Sequence, residues 1–292
     1  MLLRAATTMF SCYSKPVFEG ENRVVSEPAS ETSSHTLLIE NLPFEVDAGI
    51  AARASIGLIV LATDYTIEYE WRRLFAAVDG VALYHSRIAN ENRITPENLR
   101  AMQPRIVESS RVITPDTPVD VMAYGCTSAS MAIGEMGVFE TIQQSKPDAR
   151  CTTPITAAFA AFGAFSARRI GVLTPYPADV NRIVSDYIQA RGFEVPVFGS
   201  FNEQFDTVVA RITPASIEAG VREIVRHADV DAIFVSCTSV RLMDACADLE
   251  KSLGIPLTSS NHAMGWHALR LAGIEDSLAQ FGSLYELPLA SR

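Results

Sequence analysis

The sequence predicts an α/β protein made of two similar parallel-sheet lobes related by a pseudo-twofold axis. From residue 53 onward, apolar strand-like runs alternate with helix-like segments, which is the pattern of parallel strands joined by helical crossovers. Three sequence blocks also recur in the same order: Ile-Gly at 56 and 170, RITP at 93 and 211, and Val-Asp followed by Cys-Thr-Ser at 119 and 230. Their nearly equal offsets indicate internal duplication.

The first lobe is predicted to begin with a strand in ASIGLIVLATD, whose continuous apolar run suits burial on both faces. A helix in YTIEYEWRRLFAAV and a strand in GVALYHSRI follow. The next helix, TPENLRAMQPRIVESSRVI, has Thr95 as its N-cap and Pro96 at its first position. The strand VDVMAYG and the helix TSASMAIGEMGVFETIQQS complete this lobe.

The second lobe is predicted to repeat this order. The run TAAFAAFGAF (156–165) reads as a core helix that joins the lobes, and ARRIGVLTPYPADVNRIVSDYIQARG then supplies a strand and a helix. The strand EVPVFGSF, the helix ITPASIEAGVREIVRHA, the strand VDAIFVS and the helix TSVRLMDACADLEKSLG follow. A strand and a last helix in GIPLTSSNHAMGWHALRLAGI close the chain.

These elements predict three parts of the chain. Residues 51–166 form the first lobe, with 258–292 returning to it, and 167–257 form the second lobe. Residues 1–50 are expected to form a poorly ordered N-terminal arm, because GENRVVSEPASETSSH is rich in Ser, Glu, Thr and Pro and lacks periodicity.

Composition limits the partners. The formal net charge of −10 and the pI near 5.0 argue against nucleic acid and against an acidic membrane surface, since both favour a basic face. No run of eighteen apolar residues predicts a membrane span. The five cysteines fit no zinc-ligand spacing and indicate a reducing, cytoplasmic environment. We expect no metal and no cofactor, because the dinucleotide, Walker A and HExxH motifs are missing.

The duplicated cysteines carry the functional prediction. Cys126 and Cys237 each follow a predicted strand, and ligands of parallel sheets bind beyond the carboxyl ends of the strands. A helix is predicted after each, so we expect the helix dipole to lower the thiol pKa values. The neighbouring hydroxyls of Thr127, Ser128, Thr238 and Ser239 can donate hydrogen bonds to a substrate carboxylate. One thiol can act as nucleophile or base while the other gives a proton.

The chain resembles the aspartate/glutamate racemase superfamily, in particular the branch of maleate cis–trans isomerase and arylmalonate decarboxylase. The resemblance covers about residues 53–290 and rests on GLIVLATDYTIE, YGCTSAS, VLTPYPADVN, VSCTSVR and TSSNHAMGWHALRLAG. It implies a cofactor-independent isomerase or racemase in which Cys126 is the nucleophile and Cys237 the acid/base. It also implies that Tyr176 contacts the substrate and that the protein is a homo-oligomer.

Two departures from the isomerases bear on the substrate. The isomerases carry an Asn where this chain has Asp64, and another where it has Asp206. An amide can donate to a substrate carboxylate, whereas an ionised carboxylate only accepts. Both aspartates are therefore predicted to contact a substrate that bears N–H groups or positive charge.

The stretch IVLATDYTIE also resembles the ectoine-utilisation protein EutA. Ectoines are cyclic amidines with a carboxylate, so ectoine, hydroxyectoine or a derived amino acid is the substrate class that we favour. Maleate is the alternative substrate. The alternatives from other classes are a small-molecule-binding protein and a redox-sensing protein, each with two lobes.

Overall fold

A computed structural model describes residues 36–290 of the chain. The described chain divides into two units, of which one ends at Asp47 and the other begins at Ala48. Residues 36–47 contain no helix or strand. Most of the arm predicted for residues 1–50 lies outside the described residues.

Two four-stranded sheets form the second unit. In the first sheet the strand order is β2-β1-β3-β4, and in the second it is β6-β5-β7-β8. All neighbouring strands are parallel, so the two sheets have the same topology and confirm the predicted pair of parallel-sheet lobes. The strands are β1 (Ala54–Leu61), β2 (Val81–Ile88), β3 (Val121–Gly125), β4 (Arg150–Thr152), β5 (Arg169–Thr174), β6 (Glu194–Ser200), β7 (Ala232–Val235) and β8 (Leu257–Ser259).

Eleven α-helices accompany the strands of this described unit. They are α1 (Ile67–Phe75), α2 (Pro96–Arg100), α3 (Gln103–Arg111), α4 (Thr127–Ile133), α5 (Glu135–Gln143), α6 (Pro154–Ala164), α7 (Ala178–Gln189), α8 (Asp206–Val209), α9 (Pro214–His227), α10 (Cys246–Leu253) and α11 (Ser260–Leu271). Short 3₁₀ turns lie at Met243–Ala245, Ala279–Phe281 and Ser283–Glu286.

The repeated Ile-Gly block has a packing reason. A Cβ added at Gly57 in β1 would overlap the Sδ atom of Met122, and a Cβ added at Gly171 in β5 would lie 2.7 Å from Cγ2 of Ile224. A side chain from a neighbouring element therefore presses on the same point of each central strand. Only glycine leaves the room that both contacts need.

The repeated RITP block starts a helix each time. The Thr95 hydroxyl accepts a hydrogen bond from the Asn98 amide at 3.2 Å, and the Thr213 hydroxyl accepts one from Ser216 at the same distance. The predicted N-cap at Thr95 is confirmed, with Pro96 in the first turn of α2. These caps satisfy amide groups that have no partner inside the helix.

The predicted elements differ from the structure at several points. The single helix predicted over 95–113 is split into α2 and α3, with Pro104 in the first turn of α3. The single helix predicted over 127–145 is split into α4 and α5 at Gly134, which has a φ of 93° that most residues avoid. The short strand β4 and the four-residue helix α8 were not predicted.

Helices α6 and α11 lie where elements of both sheets meet. They pack on each other, and α11 contacts β3 and β4 of the first sheet and β8 of the second. The buried side of α6 includes Ile155, Ala158 and Phe162, and the Phe162 ring packs edge-on against Phe234 of β7. The strand that begins the closing block, β8, belongs to the second sheet, whereas most contacts of α11 are with the first-lobe elements.

Candidate active site

Both duplicated cysteines line one cavity at the carboxyl ends of the two sheets. Cys126 follows β3 directly, and Cys237 lies two residues after β7. Each is 4% exposed. The cavity and its mouth contain about 410 Å³ of space not occupied by protein atoms, part of which is open to solvent. It is lined by Leu61, Asn90, Glu91, Arg93, Ile94, Asn98, Leu99, Met102, Cys126, Thr127, Ser128, Tyr176, Asp206, Cys237 and Thr238.

The helix α4 holds Cys126. Cys126 is the N-cap residue of this helix, and its carbonyl oxygen accepts from the Ser130 amide at 3.1 Å and from the Ser130 hydroxyl at 2.6 Å. Its Sγ atom lies 3.9 Å from the Ser128 hydroxyl. The helix predicted after the first cysteine is therefore confirmed, and it begins at Thr127 as the sequence indicates.

The helix predicted directly after Cys237 is wrong. Residues 238–242 are not helical, and α10 begins only at Cys246, after a 3₁₀ turn. Cys237 has a backbone φ of 151°, a value that residues other than glycine rarely adopt. Such backbone is kept only where surrounding contacts hold it, and it clusters at functional sites.

Ser260 links the two cysteine motifs. It is the first residue of α11, and its hydroxyl oxygen accepts from the Cys237 amide at 3.0 Å and from the Thr127 hydroxyl at 2.7 Å. The Thr238 hydroxyl donates in turn to the carbonyl of Gly125 at 3.3 Å. These buried bonds cross from one lobe to the other and set how the two thiols stand relative to each other.

The predicted lowering of the thiol pKa values is also wrong. Burial raises the pKa of Cys126 to about 12 and raises that of Cys237 well above its usual value. The carboxyls of Asp206 and Asp64 raise both further. The Ala129 amide opposes the rise at Cys126, but the dry surroundings outweigh this contribution of the helix start. The protein around them therefore holds both thiols in the neutral form.

Tyr176 lies at the cavity, as the resemblance implies. Its ring is 2% exposed, and burial together with the two nearby thiols raises its pKa well above the usual value. A hydrogen bond between its hydroxyl and the Cys237 sulfur partly offsets the rise in the pKa of that thiol. The Tyr176 carbonyl accepts from Asn181 and from Ser200, at 2.7 Å each, so the backbone of this loop is fixed.

Asp206 contributes a buried carboxyl group to the cavity wall. One oxygen accepts from the Ser239 hydroxyl at 2.7 Å, and the other accepts from the Thr63 hydroxyl. Burial raises the pKa of Asp206, and the two hydroxyl donors oppose that rise. Ser239 does not itself line the cavity, since its hydroxyl is directed to Asp206.

Asp64 lies behind the cavity wall. It is fully buried, and its Oδ1 atom accepts from the amides of Thr66 and Ile67 at 2.7 and 2.9 Å. It therefore binds two amides at the start of α1, ahead of the N-cap residue Thr66. Its Oδ2 atom has no hydrogen-bond partner, and burial raises the pKa of this carboxyl to about 6. Asp64 is not among the residues that line the cavity, so its contact with substrate stays a prediction.

The cavity roof contains residues that sequence reasoning did not find. The segment after β2 pairs with the segment after β6: Ile94 donates to the Gln204 carbonyl at 2.9 Å, and Asp206 donates to the Asn92 carbonyl at 3.0 Å. This pairing brings Asn90, Glu91 and Arg93 to the cavity. The RITP repeat was the available signal, because it marks equivalent positions of the two lobes beside the roof.

The other two cysteines of the described region lie outside this cavity. Cys151 and Cys246 are free thiols away from it, and Cys126 and Cys237 are free as well. Within residues 36–290, no cluster of three or more His, Cys, Asp or Glu side chains is arranged to hold a metal ion. No helix in the same range is long and apolar enough to cross a membrane.

Comparisons with known proteins identify relatives along nearly the whole described chain. A maleate isomerase from Pseudomonas putida is 29% identical over 244 residues, which is 78% of this chain and 96% of the relative. An arylmalonate decarboxylase from Bordetella bronchiseptica is 26% identical over 226 residues, or 76% and 92% of the two chains.

A solved structure shares the fold. The maleate cis–trans isomerase of Nocardia farcinica, in a cysteine-to-serine variant with a covalently bound succinylcysteine intermediate, matches with a TM-score of 0.72 and 23% identity. The match covers 80% of this chain and 98% of that one. The finer likeness to the ectoine-utilisation protein stays a prediction. Since the profile of the arylmalonate decarboxylase family matches residues 57–285, the chain belongs to that family.

Proposed function

We propose that this protein is a cofactor-independent isomerase that uses Cys126 and Cys237 on a small carboxylate substrate. The observation that carries the proposal is the meeting of the two thiols, one from each lobe, in a single buried cavity. Two acid–base groups on one substrate can move a proton off one carbon face and return one to another. An isomerisation of this kind consumes no second reactant.

The reaction needs one thiolate and one thiol. For a carbon–carbon double bond, the Cys126 thiolate adds to one carbon while the Cys237 thiol protonates the other, and the C–C bond can then rotate. Return of that proton to Cys237 and loss of the Cys126 sulfur regenerate the double bond in the other geometry. For a carbon acid, one thiolate removes the proton and the other thiol supplies one from the opposite side, which is racemisation.

Substrate charge decides how easily the thiolate forms. Burial and the carboxyl of Asp206 favour the neutral form of both thiols. A positive group on the substrate would favour the thiolate, because opposite charges attract strongly where water is excluded. A second negative group would disfavour it. A substrate that is both a cation and a carboxylate therefore suits this cavity better than a dianion.

Asp206 supports the same substrate class. Its carboxyl is held by the hydroxyls of Thr63 and Ser239, so it is fixed in place as an acceptor at the wall. An ammonium or amidinium N–H could donate to it, while the substrate carboxylate accepts from the Ser128 hydroxyl, since the hydroxyls of Thr127, Thr238 and Ser239 donate to protein acceptors. Ectoine, hydroxyectoine or a derived amino acid has both groups, and this is the substrate class that we favour.

Maleate is the alternative, and the relatives favour it. The Pseudomonas putida relative is a maleate isomerase, and the Nocardia farcinica enzyme was captured as a succinylcysteine adduct. On this alternative, Asp206 must be protonated to donate to the dicarboxylate. Burial shifts its pKa in that direction.

One experiment separates the substrates. The protein is incubated in deuterated water with ectoine, hydroxyectoine, diaminobutyrate derivatives or maleate, and NMR follows deuterium entry at carbon and formation of fumarate. We expect exchange at carbon with a substrate that carries nitrogen. Conversion of maleate alone would establish the alternative. Ligand binding without exchange or conversion on any of them would overturn the proposed isomerase in favour of a binding protein.

The Asp206→Asn variant sharpens this test. Loss of a charge-assisted hydrogen bond costs about 1.5–3 kcal/mol, so kcat/KM for the nitrogen-bearing substrate should fall about ten- to a hundredfold. Turnover of maleate should rise, because the variant removes a repulsive carboxylate. Asp179→Asn is the matched control, since Asp179 is an exposed carboxylate at the start of α7. Equal effects of the two variants would remove Asp206 from substrate recognition.

A further inference from the structure

The backbone that follows Cys237 lacks a helix of its own, and other elements supply its hydrogen bonds. The Ser239 carbonyl accepts from the Thr66 hydroxyl at 2.8 Å. The Cys237 amide donates to Ser260, as described above. The contacts within this segment are weak by comparison, since the Val240 amide lies 3.4 Å from the Cys237 carbonyl. The position of the Cys237 thiol therefore depends on residues far away in the sequence.

Glu70 makes the largest number of these remote contacts. It lies in α1 and is 2% exposed. Its Oε1 atom accepts from the amides of Leu242 and Met243 at 2.8 and 2.9 Å. Its Oε2 atom accepts from Nδ2 of Asn261 at 2.7 Å. Three N–H groups thus converge on one carboxyl group, and none of the salt bridges within residues 36–290 involves it.

Asn261 connects Glu70 to the residue that follows Cys237. Its Nδ2 atom also donates to the Thr238 carbonyl at 2.7 Å, and Thr238 is the residue next to Cys237. Its backbone carbonyl accepts from Trp71 Nε1 at 3.0 Å, which ties α11 to α1. The segment from Thr238 to Met243 is therefore fixed at both ends by Glu70, directly at one end and through Asn261 at the other.

From these contacts we infer that Glu70 is a positioning residue for Cys237: its carboxyl group fixes the Thr238–Met243 segment and thereby the place of the thiol in the cavity. Above its pKa of about 7 the Glu70 carboxylate accepts at both oxygens, whereas an amide offers one acceptor and one donor, so a carboxylate suits this role. The labelling test is therefore run above that pH. A glutamine here would turn its Nε2 either toward Asn261 or toward the two backbone amides. Either orientation loses at least one of the three contacts.

The effect on turnover rests on the proposed function, but the placement of the thiol does not. The test therefore measures the thiols themselves, without substrate. Wild-type protein, Glu70→Gln and the control Glu135→Gln are treated with iodoacetamide, and peptide mass spectrometry gives the alkylation rate of each cysteine. Glu135 is also a buried helix glutamate with several partners, but it contacts Thr156, Tyr187 and Arg191, away from this segment.

We expect Glu70→Gln to raise the ratio of Cys237 to Cys126 alkylation rates about tenfold. The lost contact loosens the segment that buries Cys237, whereas Cys126 is held by its own helix. Glu135→Gln should leave the ratio unchanged. An unchanged ratio in folded Glu70→Gln protein would overturn the inference, and so would an equal rise in both variants.

Two further measurements decide the matter if Glu70→Gln does not fold. Asn261→Ala keeps the carboxylate and its two backbone contacts and should raise the same ratio by a smaller factor. In the wild type, hydrogen exchange at Leu242 and Met243 should be as slow as in α4, although no helix protects them. Rapid exchange at both amides, or an unchanged ratio in Asn261→Ala, would contradict the role. Once a substrate is known, Glu70→Gln should lower kcat more than it raises KM, because Glu70 is not one of the residues that line the cavity and bind substrate.

Discussion

The two Cys-Thr-Ser motifs reach the same cavity by different means. Cys126 is the N-cap of α4, and the next residues of the chain supply its hydrogen bonds. Cys237 has no helix behind it, and its segment is held by Glu70 in α1 and by Ser260 and Asn261 in α11. The first motif is thus fixed by local structure and the second by tertiary contacts.

The difference shows that two copies of one motif can hold their thiols by different contacts and so suit different steps of a reaction. A thiol on a helix start keeps its geometry as long as the helix forms, which suits a group that attacks and stays bonded. A thiol on an irregular segment is adjustable through the residues that hold it, which suits a group that delivers and recovers a proton.

The largest effect is expected from removal of either thiol. Cys126→Ser and Cys237→Ser should each lower kcat by about 10²–10⁴-fold with little change in melting temperature, because both groups serve one reaction. With a substrate that carries a carbon–carbon double bond, such as maleate, the covalent step should separate them: Cys237→Ser can still gain the mass of one substrate, while Cys126→Ser cannot. Retention of more than about a tenth of the wild-type kcat by either variant would contradict a two-thiol mechanism.

The second effect is a pH dependence of the unfolding free energy that comes from Glu70, the residue that we infer positions Cys237. Burial raises the pKa of Glu70 to about 7 from its usual 4.5, so the folded state holds the proton that the unfolded chain releases. This contribution to stability is complete below about pH 4.5 and is lost as the pH rises through about 7. The wild type should lose on the order of 3 kcal/mol of unfolding free energy from this group between pH 5 and 7.5.

Chemical denaturation at a series of pH values measures this loss. Glu70→Gln cannot ionise, so its unfolding free energy should fall less steeply over the same range than that of the wild type. Asp64, whose pKa is raised to about 6, contributes part of the slope that remains. Equal slopes for wild type and variant would show that Glu70 does not titrate in this range.

The third effect tests the link between the motifs. Ser260→Ala removes the acceptor of the buried Cys237 amide and the partner of Thr127. A buried amide without a partner costs about 1–3 kcal/mol, so the melting temperature should fall. Ser130→Ala is the control, since the carbonyl of Cys126 keeps its bond from the backbone amide. A smaller loss for Ser260→Ala than for Ser130→Ala would argue against the link.

The smallest effect is expected from Asp64→Asn. Because the Oδ1 atom of Asp64 accepts from the amides of Thr66 and Ile67, and the Oδ1 atom of Asn can accept the same bonds, the melting temperature should change little. We expect kcat/KM to change less than in Asp206→Asn, since Asp206 lines the cavity and Asp64 does not. A loss equal to that of Asp206→Asn would establish Asp64 as a substrate contact, in keeping with the prediction from the sequence.

Several features could be predicted from local sequence because local forces decide them. The apolar runs that became β1, β3, β5 and β7 specify buried parallel strands, and the end of each run marks where the sheet opens to a ligand. The Thr95 cap followed from a threonine before a proline at a helix start. The repeat of three blocks was sufficient to predict two lobes of one topology.

Other features depend on residues that meet only in three dimensions. The helix predicted after Cys237 fails because Leu242 and Met243 give their amides to Glu70, which is about 170 positions earlier. The thiol pKa values rise because packing of the two lobes buries the cysteines. At Cys126 this burial outweighs the lowering of the pKa by the amide at the start of α4, which is the only effect that local sequence indicates.

The two aspartates show where the boundary lies. Each follows a strand-like run within a few residues, so local sequence places both near the open edge of a sheet. Their partners come from packing: Asp206 faces the cavity between two hydroxyls, while Asp64 turns back to bind amides at the start of α1. The physical reason is that periodicity records which face of an element is apolar, whereas the partner of a buried carboxyl is set by whatever donors packing brings within hydrogen-bond distance.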